Sequence, residues 1–97
     1  MTENDAVLEV NQAFFGLLSD DINAVALDYS GTAFTIYVAL ARDTPQVRED
    51  LDDMAGDLEA SLLPADPDIR VVAGVSTTGP EWAGRQHRLV LLRKQGT

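Results

Sequence analysis

Residues 43–62 read DTPQVREDLDDMAGDLEASL, and this stretch decides the fold class. Thr44 followed by Pro45 is typical of a helix start, a capping residue with proline at the first helical position. Apolar residues then recur at steps of four, three, four and four, which at about 100° per residue places them on one stripe: Val47, Leu51, Met54, Leu58 and Leu62. Pro64 and Pro67 end the predicted helix, because a residue that precedes proline is pushed away from the helical backbone.

The rest of this helix surface is acidic, with six carboxylates on the remaining arc: Glu49, Asp50, Asp52, Asp53, Asp57 and Glu59. Like charges one turn apart destabilise a helix by a few tenths of a kcal/mol per pair, and Arg48 alone is available to relieve them. An acidic face of this kind costs stability and speeds association with a cationic protein. The ordinary interpretation of such a surface is a solvated helix face; the unrelieved charge favours the alternative, a docking surface for a basic partner.

The residues offer little for catalysis. Asp50, Asp53 and Asp57 share one helix side and could hold a hard cation such as Mg²⁺, but Ala60, the next residue on that side, adds no oxygen. The chain has no cysteine and contains none of the patterns GxGxxG, GxxxxGK[ST], HExxH or GxSxG. His87 is the single histidine and is predicted to be a surface or capping residue. We expect no enzyme, no cofactor and no bound metal.

The segments around this helix complete an α+β pattern. Thr2 is predicted to cap a first helix whose apolar residues are Val7, Val10, Phe14, Leu17 and Leu18. Residues 22–29 and 33–41 flank the polar pair Ser30-Gly31, which predicts a β-hairpin. In its second strand the residues of one face are Phe34, Ile36, Val38 and Leu40, and the first strand adds Val25 and Leu27 to the same core.

Two further strands are predicted near the carboxyl end, over residues 69–77 and 87–94. The third strand places Ile69, Val71, Ala73 and Val75 on one face. The element order is α-β-β-α-β-β. We therefore predict one α+β domain over residues 1–97, with one four-stranded, mainly antiparallel sheet and its helices packed on one face.

Composition and charge limit the classes of partner. The 97 residues are 45% apolar and 24% charged, with 16 acidic against 7 basic residues and a net charge of −9. Residues 1–68 hold fifteen of the acids and two of the bases. Such a chain repels phosphate backbones, so we expect no direct binding of nucleic acid. It has neither a basic leader nor an apolar run near the ~20 residues of a membrane span, which predicts a cytoplasmic protein without membrane contact.

Hydrophobic patterns over most of the chain carry a resemblance to a known family. They are FGLL at 15–18, NAVALD at 23–28, FTIYV at 34–38, the acidic helix after Pro45, and the closing segment with GPEW at 79–82 and LVLLRK at 89–94. Together they resemble the small immunity proteins of bacterial polymorphic toxin and contact-dependent inhibition systems. The resemblance implies a cytoplasmic protein that binds a cognate toxin domain, commonly a nuclease, and blocks its active site or its access to substrate.

Seven residues are candidates for the partner-binding surface: Glu49, Asp50, Asp53, Asp57, Asp20, Asp21 and Trp82. Trp82 has two interpretations, a side chain that covers the open edge of the core or an exposed anchor for a partner. Two other function classes remain open. The apolar strand 89–92 could join two copies of the chain as a homodimer in a regulatory or structural module, and the acidic surface could mimic nucleic acid and inhibit a DNA-binding protein.

Overall fold

The computed structural model describes residues 1–14, 21–63, 67–76 and 82–92. In these ranges the chain forms two α-helices, four strands and one 3₁₀ helix. Their bounds, in chain order, are α1 Glu3–Phe14, β1 Ile22–Tyr29, β2 Ala33–Leu40, α2 Pro45–Ser61, β3 Asp68–Val75, the 3₁₀ helix Ala83–Gln86 and β4 Arg88–Leu92. The predicted order of helices and strands is confirmed.

The β1–β2 hairpin forms as the sequence predicts. Gly31 has a φ of 91°, a left-handed conformation that glycine adopts without strain, and the Ser30 N–H donates to the Ala33 carbonyl at 3.1 Å. Alternate residues of β2 are buried under the helices: Phe34, Ile36, Val38 and Leu40. Val25 and Leu27 of β1 lie in the same core.

Both helices pack on this one face of the sheet. The apolar stripe of α2 is buried as predicted, and α1 contributes Ala6, Val10 and Phe14 to the same core. The predicted caps are also present, because the N–H of Val47 donates to the Thr44 hydroxyl at 3.1 Å and the N–H of Asp5 to the Thr2 hydroxyl at 3.2 Å. Leu17 and Leu18, predicted to continue the first stripe, lie outside the described residues.

The sheet is mixed, and the expectation of a mainly antiparallel sheet was wrong. Its strand order is β3-β2-β1-β4; β1 pairs antiparallel with both β2 and β4, but β2 and β3 are parallel. The reason is that α2 crosses over between β2 and β3, and a crossover of this length returns the chain to its starting end. The two edge strands are therefore β3 and β4.

The face of the sheet opposite the helices carries a second, smaller core. Ala24, Ala26 and Ala39 form its floor, and the indole of Trp82 packs on them. The 3₁₀ helix follows Trp82 directly and brings the chain back to β4. The core thus has two layers, a large one under the helices and a small one under a single aromatic side chain.

Strand bounds near the carboxyl end differ slightly from the prediction. Within the described residues β3 ends at Val75, which is 66% exposed, whereas Ile69, Val71 and Ala73 pack against the core. β4 begins at Arg88, one residue after His87. Residues 93 and 94, predicted to continue β4, lie outside the described residues.

Candidate functional site

The outer side of α2 displays the six carboxylates together, and we call this surface the acidic face: Glu49, Asp50, Asp52, Asp53, Asp57 and Glu59. Burial of the apolar stripe against the sheet leaves these residues no other direction in which to point. Asp50 is half-buried and the other five are exposed. The face runs from Glu49 to Glu59 of the 17-residue helix, which is about 15 Å along the axis at 1.5 Å per residue.

No cation in the described part of the chain neutralises this face. Arg48, the single basic residue of α2, forms its ion pair with Asp43, which precedes the helix. Its Nε lies 2.8 Å from Asp43 Oδ1, and its Nη2 lies 2.8 Å from Oδ2. Among the described residues none forms an ion pair with any of the six carboxylates. Asp50 accepts a hydrogen bond from the Gln46 amide at 2.9 Å, which leaves its charge in place.

The Asp43–Arg48 pair shifts the pKa of both groups. The hydrogen bonds from Arg48 hold the pKa of the Asp43 carboxyl below its usual value, and the charge of Arg48 acts in the same direction. The pKa of Arg48 is raised, first by its hydrogen bonds to Asp43 and also by the charges of Asp43 and Asp52. Arg48 is therefore paired with Asp43, and Asp52 is the member of the acidic face whose charge acts on it.

An acidic side chain of α1, Glu9, lies beside the end of α2. The Ser61 hydroxyl donates to Glu9 Oε2 of α1 at 3.2 Å, across 52 positions of sequence. Glu9 was not a candidate from the sequence, because only the packing of α1 along α2 brings it there. It adds a carboxylate beside the last turn of α2.

Asp21 lies at the end of the sheet where α2 begins, but it is not part of the acidic face. Its Oδ1 lies 3.0 Å from Arg42 Nε, and its side chain is 16% exposed. Its carbonyl also accepts the N–H of Ala41 at 2.7 Å, which closes the end of the hairpin. Asp20, the other candidate in that segment, lies outside the described residues.

Trp82 lies on the opposite face of the sheet from α2 and is 7% exposed. Of the two interpretations of this residue, the structure shows a side chain that covers a core, although it covers the far face of the sheet and not an open edge. The ring stands against Gly84, where an added Cβ would lie 2.5 Å from Trp82 Cζ2. Because only 7% of Trp82 is exposed, its indole offers little surface to a partner.

The same far face holds a ring stack that the sequence did not indicate. The rings of Tyr37 and His87 lie parallel, with 4.7 Å between centroids and 6° between planes. His87 is half-buried and directly precedes β4. Its ring extends the cover that Trp82 forms over the alanine floor.

Basic residues lie away from the acidic face. Arg88 of β4 binds the first turn of α1, with Nη1 3.2 Å from Glu3 Oε1 and Nη2 3.2 Å from Asn4 Oδ1. Arg70 pairs in register with Thr35 and alternates with the core residues of β3, so it lies on the far face of the sheet. Among the described residues, these two arginines thus lie away from the outer side of α2.

Comparison with known proteins assigns no family to this surface. No protein-family model matches the chain, and no curated protein matches it. In the described ranges no group of three or more His, Cys, Asp or Glu side chains is arranged to hold a metal ion. Neither α1 nor α2 is long and apolar enough to cross a membrane.

Proposed function

We propose that this chain is an immunity protein, a non-enzymatic inhibitor that binds a basic toxin domain, a nuclease, through the acidic face of α2. One observation carries the proposal: six carboxylates lie along one helix side, while the only cation of that helix is bound to Asp43. The cytoplasmic location and the toxin partner rest on the family resemblance of the sequence. The surface chemistry is what supports a basic partner.

The electrostatics of a nuclease explain why such a face would serve as its inhibitor. A nuclease binds phosphate through positive surface, so a negative helix placed over that surface competes with the substrate. Complementary charge raises the association rate and disfavours wrong partners more than it adds affinity. A complex of standard size buries roughly 800 Å² on each partner, so a face about 15 Å long would supply the centre of the interface and its neighbours the rest.

A pair of charge reversals with a matched control tests the proposal. Asp53→Lys with Asp57→Lys changes the acidic face, and Asp28→Lys with Asp68→Lys makes the same change of charge at exposed residues of β1 and β3. Each variant is mixed with the toxin domain encoded by the neighbouring gene, and complex formation and protection of growth are measured. We expect the first pair to lose binding and protection by at least tenfold, and the control pair to keep both. Equal behaviour of the two variants, or no complex with wild type, contradicts the proposal.

The second candidate function is a self-associating regulatory or structural module. It is favoured by β4, an edge strand whose Leu89 is 46% exposed on the far face of the sheet. Sedimentation of the wild-type chain separates the two candidates. A tight homodimer that Leu89→Lys dissociates supports the module, and a monomer that binds the toxin domain supports the inhibitor.

The nucleic-acid mimic shares the acidic face and differs in selectivity. A mimic binds several basic proteins with steep salt dependence, whereas an immunity protein binds one toxin domain. Titration against a panel of unrelated basic DNA-binding proteins decides between the two.

A further inference from the structure

The main chain of β3 has one side bound to β2 and one side directed outward. The N–H of Asp68 donates to the Thr32 carbonyl and the N–H of Ser76 to the Leu40 carbonyl, both at 3.1 Å. In regular parallel pairing a bonded residue directs its N–H and C=O to the same neighbour, and successive residues alternate. The even-numbered residues of β3 therefore bond to β2. The residues that direct their N–H and C=O to the outer edge are Ile69, Val71, Ala73 and Val75.

Arg48 covers one of these outward groups. Its Nη2 donates to the Ala73 carbonyl at 3.2 Å, across 25 positions of sequence. The same guanidinium is held by both carboxylate oxygens of Asp43, so its position over the edge is fixed from a second direction. Covering the outward main-chain groups of an edge strand with a group from a neighbouring element is one way in which proteins prevent a further strand from pairing there.

We propose that the Asp43–Arg48 pair closes the outer edge of β3 to a second copy of this chain, and that two copies join through β3 when Arg48 is removed. This inference is independent of the proposed function. Within the described residues, the edge without Arg48 presents an eight-residue strand that contains no proline and whose charged residues are Asp68 and Arg70. At the other edge, β4 has an irregular register with β1, which makes it a poorer template for pairing.

The sequence of β3 fits an antiparallel pair related by a two-fold axis at Val72. Pairing of outward main-chain groups joins Val71 to Ala73 of the other copy and Ile69 to Val75 of the other copy. The Ala73 carbonyl of each copy would then accept a hydrogen bond from Val71 of the other copy, and this is the carbonyl that Arg48 occupies. On the far face of the sheet, Val72 meets its own copy and loses its 43% exposure. Arg70 falls opposite Gly74, where open space accommodates its side chain.

The test compares the mass in solution of Arg48→Met and Arg42→Met by sedimentation velocity over a range of concentrations. Methionine keeps an unbranched apolar stem but donates no hydrogen bond. Arg42 is a matched control, since it is also an exposed arginine in one ion pair, to Asp21, and its loss changes the net charge equally. We expect Arg48→Met to approach twice the mass of wild type, while Arg42→Met sediments as wild type does.

Two further variants locate the contact. Arg48→Met combined with Val72→Lys places two like charges face to face at the two-fold axis, and we expect it to sediment as wild type. Asp43→Asn releases Arg48 from its anchor without removing it, and we expect a smaller rise in mass; it also serves if Arg48→Met fails to fold. The inference is overturned if neither Arg48→Met nor Asp43→Asn gains mass, if Arg42→Met gains as much, or if Val72→Lys leaves the gain intact.

Discussion

The two sides of α2 are built from one stretch of sequence and have opposite roles. The inner side buries Val47, Leu51, Met54 and Leu58 against the sheet, where shape and volume decide what is tolerated. The outer side holds six carboxylates that contact no cation in the described part of the chain. Packing of the inner side stabilises the helix, whereas the packing of the fold does not require carboxylates on the outer side. Because the fold does not account for the acidic side, that side is the candidate surface for binding a partner.

The largest expected effect is a difference in the free energy of unfolding between substitutions on the inner and the outer side of α2. Leu58→Ala removes a fully buried side chain and should lower the free energy of unfolding by about 2–5 kcal/mol, because lost transfer energy and a residual cavity add. Glu59→Ala, one position along on the outer side, should change it by less than about 0.5 kcal/mol. Urea unfolding of both variants measures the contrast. Similar losses for the two would show that the acidic face is part of the packing.

The next effect extends the comparison to the far face of the sheet. Gly84→Ala would place a Cβ against the Trp82 indole, and overpacking of this kind should cost about 1–3 kcal/mol. Gly56→Ala is the matched control, because its added Cβ meets no atom within 4 Å on the surface of α2. It should raise stability by about 0.5–1 kcal/mol through helix propensity. Thermal unfolding of the two variants should therefore shift in opposite directions; a shift in the same direction would contradict the packing described for Trp82.

A smaller effect on stability is expected from the repulsion between carboxylates on the outer side of α2. Asp53 lies one helical turn from both Glu49 and Asp57, so Asp53→Lys converts two repulsive pairs into attractive ones. We expect stability to rise by about 0.5–1 kcal/mol at low salt and the gain to shrink as salt screens the charges. Asp28→Lys, an equal change of charge on β1, should gain less. A loss of stability in Asp53→Lys would mean that the carboxylates are not in conflict with one another.

The smallest effect concerns acid and the Asp43–Arg48 pair. Because the pKa of Asp43 is lowered in the folded chain, the pair adds stability above the ordinary value of 3.8 and loses it as pH falls through the lowered folded value. Wild type should therefore exceed Asp43→Asn in stability near neutral pH, and the difference should vanish in stronger acid. Unfolding measured over a series of pH values checks this. A difference that grows on acidification would have the wrong sign for a carboxylate stabilised by its arginine.

Local signals predicted most of the helices and strands. Thr44-Pro45 and the apolar stripe define the start and the buried side of α2 without reference to any other part of the chain. The hairpin follows from Gly31 and the alternation in β2. The parallel pairing of β2 with β3 was not predicted from the sequence. Strand direction depends on how α2 crosses the sheet, and no residue within either strand indicates that direction.

The sequence predicted the acidic residues of the candidate site on α2, but it did not predict all of the contacts around them. The four acidic candidates on α2 follow from helical periodicity and do share one side. Glu9 and the partners of Arg48 were missed, since each contact joins positions far apart in sequence or crosses the helix start. For Trp82, the small residues Ala24, Ala26 and Ala39 at alternate positions were a signal that something large packs on them.

The association rate with the toxin domain tests the central claim most directly. It is measured by stopped-flow mixing at several salt concentrations for wild type, Asp53→Lys/Asp57→Lys and Asp28→Lys/Asp68→Lys. If the outer side of α2 guides a basic partner, the rate for wild type falls steeply as salt rises, and the α2 variant is at least tenfold slower at low salt. Rates for all three chains that are equal and insensitive to salt would contradict the account.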